Sequence, residues 1–357
     1  MKRRLLAVST LLFCSGLTAL VYQVAWMREL RLIFGFSTAA SAAVVAIFLA
    51  GLGVGGWLLG PRADAAPRPL AFYGWLELAI AAAAAITPLL VLLVRLAYIA
   101  LGGTQGLGLF GGTLARLLFS AAVLAVPTVL MGGTLPAAAR AVATDEDAPR
   151  RSLAVLYGAN TLGALVGTFL STFLLLELFG TRSTLWLACA LNALVGLSAV
   201  RLSRDRAEGE SQEAPKPKKD KRRRKEAESP LPRIATDSGG RPAAPATFVL
   251  AAAATVGFAF MLMELVWYRM LSPLLGGSTY TFGLILAVAL LGIGVGSAVY
   301  SRAGGGSATL AGFAATCAVE ALFLALPWAL GDRIALFAIL VRPFGAFGFA
   351  GYVAGWS

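Results

Sequence analysis

The sequence predicts an all-α membrane protein, a polytopic helical bundle with a parallel internal repeat: six spans, a cytoplasmic linker, then an incomplete second half of three to four spans. Three observations predict it. Only 13% of the 357 residues are charged and the mean hydropathy is +0.79, against about 25% charged in an ordinary soluble domain. Apolar runs near the roughly 20 residues that cross a bilayer recur along the chain. A pattern of tryptophan, arginine and glycine occurs twice in one register. The composition excludes soluble-enzyme and disordered classes. The lack of histidine excludes Ser-His-Asp triads, Cys-His dyads, His-ligated metals and imidazole switches. Cys14, Cys189 and Cys317 lie far apart in apolar runs, so neither a CxxC site nor a disulfide framework is readable, and no metal or cofactor is expected.

The apolar runs cover about 5–25, 39–60, 70–94, 114–136, 153–179, 185–200, 248–271, 281–300 and 309–330, with a tenth that could begin near Phe344. The first follows Lys2, Arg3 and Arg4 but lacks a small-x-small cleavage site and continues into Tyr22-Gln23-Val-Ala-Trp26, so it reads as a span and not a signal peptide. With the amino terminus inside, Arg62, Arg68, Arg140, Arg150, Arg151, the 201–245 segment and Arg302 all fall on the inner face. That bias predicts a plasma (bacterial inner) membrane protein with its amino terminus and linker cytoplasmic.

Three segments follow: a first membrane half at 1–202, a linker at 203–245 and an incomplete second half at 246–357. The linker holds eight acids and, counted from Arg201, thirteen bases, interleaved with proline, serine and glycine. It is too poor in apolar residues to bury a core and reads as disordered. Its basic run Lys216–Lys225 fits solvation and topology first, anionic lipid headgroups second, at about 1 kcal/mol per basic residue near a membrane surface. No nucleic-acid partner is expected; the bilayer itself is the main one.

The repeat is specific. Trp26 against Trp267 sets an offset of 241, which also pairs Gly16 with Gly257, Arg28 with Arg269, Gly35 with Gly276, and Gly51-x-Gly53-Val-Gly55 with Gly292-x-Gly294-Val-Gly296. Six spans separate the copies, so both enter the membrane the same way, as in carriers built of two six-helix halves. Nothing after Leu330 corresponds to Pro127–Pro136 or to Tyr157–Gly163, so the chain is expected to be the amino-terminal part of a longer protein.

Gly51-Leu-Gly53-Val-Gly-Gly56 satisfies a GxGxxG pattern, but it lies inside an apolar span with no βαβ unit around it. Gly51, Gly55, Gly292 and Gly296 instead read as helix-packing positions where backbones touch. Asp64 and Arg68, in the loop between spans two and three, resemble the loop signature of major-facilitator carriers and suggest a conformational latch. Ionisable groups inside spans cost about 2.5 kcal/mol or more at mid-bilayer and normally turn towards protein or water. Glu77, its presumed repeat partner Glu320, and Glu264 are therefore candidate contacts for a cation between the halves, with Gln23 and Asn160 as uncharged companions. The competing reading pairs Glu264 with Arg269 or Arg28.

The residues Gly16-Leu-Thr-Ala-Leu-Val-Tyr22-Gln23-Val-Ala-Trp26-Met-Arg28, Ala50-Gly-Leu-Gly-Val-Gly-Gly56-Trp, Leu130-Met-Gly-Gly-Thr-Leu-Pro136 and Tyr157-Gly-Ala-Asn-Thr-Leu-Gly-Ala164 resemble the membrane part of fused spermidine synthase-like integral membrane proteins. The resemblance covers nearly all of the chain outside the linker. It implies a carrier-like module fused to an aminopropyltransferase-type domain, and a polyamine as solute. No catalytic constellation of such a domain is present here. Gly304-Gly-Gly306-Ser is the nearest glycine cluster and no acid follows it, so that domain would lie beyond Ser357. Three readings stand: a carrier-like module for a small cationic solute, a membrane anchor for an aminopropyltransferase-like enzyme, and a scaffold whose acids serve packing.

Overall fold

The computed structural model describes residues 2–35, 38–143, 149–213, 245–275, 279–302, 310–331 and 333–347. Among these the chain is 96% helical with no strand. Nine helices are long and apolar enough to cross a bilayer, the architecture of a multi-pass membrane protein. The run Lys216–Lys225, the Gly304 cluster and the last ten residues lie outside the described segments.

The first half comprises α1 (Lys2–Phe34), α2 (Thr38–Ala65), α3 (Pro69–Ala100), α4 (Gly103–Gly132), α5 (Thr134–Val142), α6 (Pro149–Leu170), a π-helical turn (Ser171–Leu175), α7 (Leu176–Leu178) and α8 (Gly180–Glu213). Proline and glycine set the breaks. Pro69 starts α3 at a position where a missing N–H costs nothing. Pro136 cannot donate to the Gly132 carbonyl and its ring crowds it, so one span divides at Gly133 into α4 and α5. Gly108, at φ +68°, interrupts α4 in a conformation that only glycine adopts readily. The run that begins near residue 114 therefore gains a broken lead-in from Gly103.

Packing follows close-approach seams. α1 pairs most extensively with α6, α2 with α4, and α3 with α8. At the first seam Gly163 and Gly167 lie against the Phe13 and Leu17 carbonyls, and Gly16 against Asn160; at the second Gly51 meets Thr128 and Gly55 meets Val129 and Gly132; at the third Gly74 meets Gly196. With α4–α5 as span four and α6–α7 as span five, the pairs are 1–5, 2–4 and 3–6. Exchanging spans 1–3 for 4–6 returns the same set of pairs.

Beyond residue 244 follow α9 (Ala246–Leu275), α10 (Thr279–Arg302), α11 (Leu310–Leu330), α12 (Arg333–Val341) and a 3-10 turn (Arg342–Phe347). The helices after residue 244 are covered differently from those of the first half. α10 packs on α6, with Gly283 against Thr172 of the π-helical turn, whereas α11 has no buried residue. Gly257, Gly292 and Gly296 have nothing within 4 Å of where a Cβ would sit, unlike their first-half counterparts.

The linker boundary differs from expectation. α8 continues unbroken through Glu213, so residues 203–213 are helical and not irregular. The segment 214–244 lies outside the described residues.

Candidate functional site

Two buried polar regions emerge, and the sequence-predicted acids divide between them. Glu77 lies in the first, inside the first half. It stands nine residues into α3 and is fully buried. Polar groups from three helices reach it directly or through one neighbour: Ser15, Tyr22, Tyr73 and Asn192 directly, Thr18 through Asn192, and Cys189 through Tyr22. The side chains of Ser15, Tyr73 and Asn192 face its carboxyl. None closes a hydrogen bond of good geometry: both carboxyl oxygens and the Tyr73 hydroxyl lack a partner.

Asn192 ties the layer together. Its Nδ2 donates to the Glu77 backbone carbonyl at 2.8 Å, and its Oδ1 accepts from the Thr18 hydroxyl. Apolar packing closes both sides, with Leu12, Leu76 and Val195 in one core cluster and Tyr22, Ile80 and Cys189 in the other. Glu77 therefore faces the interior of the first half, and not the space between halves as the repeat argument expected.

The second region lies where α9 and α10 meet the first half, at the end of the bundle where α1 leads into α2. The Arg31 guanidinium is 1% exposed. It donates to the Tyr268 hydroxyl at 2.6 Å, and its carbon lies 5.5 Å from the centre of that ring. Tyr268 makes an edge contact with Phe282 of α10, while Phe173 and Tyr280 stack with centroids 6.0 Å apart. Glu264 sits one turn before Tyr268, on the same face of α9. It is 5% exposed, and its Oε1 has no hydrogen-bond partner. Neither arginine proposed for it is engaged there: Arg28 donates to the Leu176 carbonyl at 3.2 Å, and Arg269 is exposed.

The remaining candidates are scattered. Gln23 is 5% exposed on α1, eight residues before Arg31. Asn160 lies on the α1–α6 seam against Gly16. Glu320 is half-buried on α11, which packs on α12, and the structure brings it to neither region. The reason is packing: no residue of α11 is buried, and Glu320 also stands 243 residues after Glu77, two off the 241 offset. Asp64 and Arg68 are both exposed, with no ion pair between them.

Sequence reasoning missed Ser15, Thr18, Tyr22 and Tyr73, and it missed the Arg31–Tyr268 contact. The available signal was the i, i+3, i+7 spacing of Ser15, Thr18 and Tyr22 in an otherwise apolar helix. Among the described residues no three His, Cys, Asp or Glu side chains gather where a metal could be held. The chain matches no family model, no curated protein and no solved structure.

Proposed function

We propose that the chain is a carrier-like module of the plasma membrane that handles a small cationic solute between its halves. Its amino terminus and the 214–244 segment lie on the cytoplasmic side in this reading. The single observation that carries it is Glu264: a buried carboxyl with an unpartnered oxygen, on the helix face that meets the first half. A negative group so placed attracts a cation strongly, because little water screens it. The 241-residue offset of the sequence repeat supports two like halves, and binding at the junction of repeats is the common carrier design. Gln23 supplies a neutral polar group on the first-half side. The resemblance to fused spermidine synthase-like membrane proteins favours a polyamine, and supports as a second reading a membrane module that serves an aminopropyltransferase-type domain.

Uptake of radiolabelled putrescine and spermidine into proteoliposomes containing the chain tests the proposal. Wild type should accumulate a polyamine and Glu264→Gln should not, with both proteins equally folded by circular dichroism. Equal uptake by the two removes Glu264 from the mechanism, and no uptake of any cation by wild type removes the carrier reading.

A further inference from the structure

Glu77 is left without a role by that solute path. It is 0% exposed, and α3 packs within the first half, against α8, α4, α5, α1 and α2. Every ionisable neighbour is a weak acid that is neutral in ordinary solution near pH 7: Cys14 and Tyr22 from α1, Tyr73 from its own helix, and, beyond Tyr22, Cys189 from α8. Among the described residues, the groups that act on it include no lysine or arginine and none from α2, α4 or α5.

An ionised carboxylate in this place would hold its charge with no cation beside it and only the neutral donors of Ser15, Tyr73 and Asn192 to offset its burial, an unfavourable state for a buried acid. A protonated carboxyl has one donor and remaining acceptor capacity. Ser15, Tyr73 and Asn192 are groups that can complement both with small rotations. A metal ion would need further oxygen ligands of negative charge, and among the described residues no second carboxylate acts on Glu77. A polyamine would need open space, and there is none around a fully buried side chain.

We propose that Glu77 is a proton-binding site, loaded in this conformation and held by the Ser15, Tyr73 and Asn192 cage between α1, α3 and α8. A glutamine would satisfy the same cage without an exchangeable charge, so the carboxyl adds one property: it releases a proton when the cage opens. Gly74, three residues before Glu77, lies against Gly196, four after Asn192, with the Val200 and Leu78 side chains closing in beside them, so any opening of the cage must part α3 from α8 along this seam. Binding of the proton stands apart from the carrier reading; its use to drive a solute rests on that reading.

Infrared difference spectroscopy on the reconstituted chain tests the site. At neutral pH the wild type should show a protonated-carboxyl C=O band that shifts down in heavy water, is missing from Glu77→Gln and persists in Glu264→Gln. A spectrum unchanged by Glu77→Gln, or an ionised-carboxylate band assigned to Glu77, overturns the proposal. Should Glu77→Gln fail to fold, Ser15→Ala and Tyr73→Phe keep the carboxyl and alter its hydrogen bonds. Each should then move the band, and an unmoved band in both overturns the proposal. Solute flux fails independently: a chain that shows the Glu77 band but carries no cation retains the proton site and loses the carrier reading.

Discussion

Trp26 donates its indole N–H to the Thr87 hydroxyl at 2.9 Å, and Thr87 donates in turn to the Ala84 carbonyl at 2.7 Å. The second bond follows from the sequence. Pro88 has no N–H, so the carbonyl four residues earlier loses its helical partner, and Thr87 supplies the proton that Pro88 cannot. The repaired kink then offers its hydroxyl oxygen to α1. Thr87→Val keeps the shape and removes both links, leaving the Trp26 N–H and the Ala84 carbonyl without partners. A loss of about 1 kcal/mol is expected, in line with interhelical hydrogen bonds in membranes, read as a shift in unfolding by sodium dodecyl sulfate. Trp26→Phe in the Thr87→Val background should add less than it does alone.

The glycine seams make a paired prediction from repeat-matched positions. A Cβ on Gly55 would run into the Val129 carbonyl, whereas one on Gly296 meets nothing within 4 Å. Gly55→Val should therefore destabilise the chain by about 1–3 kcal/mol, the usual cost of overpacking. Gly296→Val in the same 357-residue chain should stay near neutral. Equal losses in the two, measured by thermal aggregation in detergent, would remove the asymmetry between the α2 and α10 surroundings.

The spans were legible because length and hydropathy dominate in lipid, where each backbone group must be satisfied within its own helix. Their ends were less so. The 203–213 segment is charged, and a hydropathy reading stops at the membrane, yet Arg204, Asp205, Arg206 and Glu208 do not prevent α8 from continuing. Glu77 stood out as an acid in an apolar run. Its cage did not, because serine and threonine in helices bond back to their own carbonyls, as Thr18 does to Ser15 at 2.9 Å. Such residues look ordinary in sequence until packing shows which way they face. The Arg31–Tyr268 contact joins residues 237 apart on helices that the repeat pairs elsewhere, so no local spacing announces it.

Sidedness yields a prediction that needs no transport assay. In a background lacking Cys14, Cys189 and Cys317, a cysteine at Ser229 lies in the basic segment and one at Gln105 lies in the exposed first turn of α4, before the break at Gly108. A membrane-impermeant maleimide added to right-side-out vesicles should label Gln105→Cys and spare Ser229→Cys until the membrane is opened. The reverse pattern would invert the positive-inside reading.

Arg31 and Tyr268 join α1 to α9 near the end of the bundle, and their contact has two parts. The hydroxyl accepts a charge-assisted hydrogen bond and the ring lies under the guanidinium. Tyr268→Phe removes only the first. A hydrogen bond to a charged group contributes about 1.5–3 kcal/mol, so its loss should favour opening at that end by roughly tenfold or more. In the cysteine-free background, Gln23→Cys lies eight residues below Arg31 and is buried. Its labelling by an impermeant maleimide from the Gln105 side should speed up by that factor when Tyr268→Phe is added. Arg31→Lys should act in the same direction, because an ammonium cannot reproduce both the planar fork and its stacking on the ring. An unchanged labelling rate in both variants would mean that the pair fills space at the junction without holding it shut.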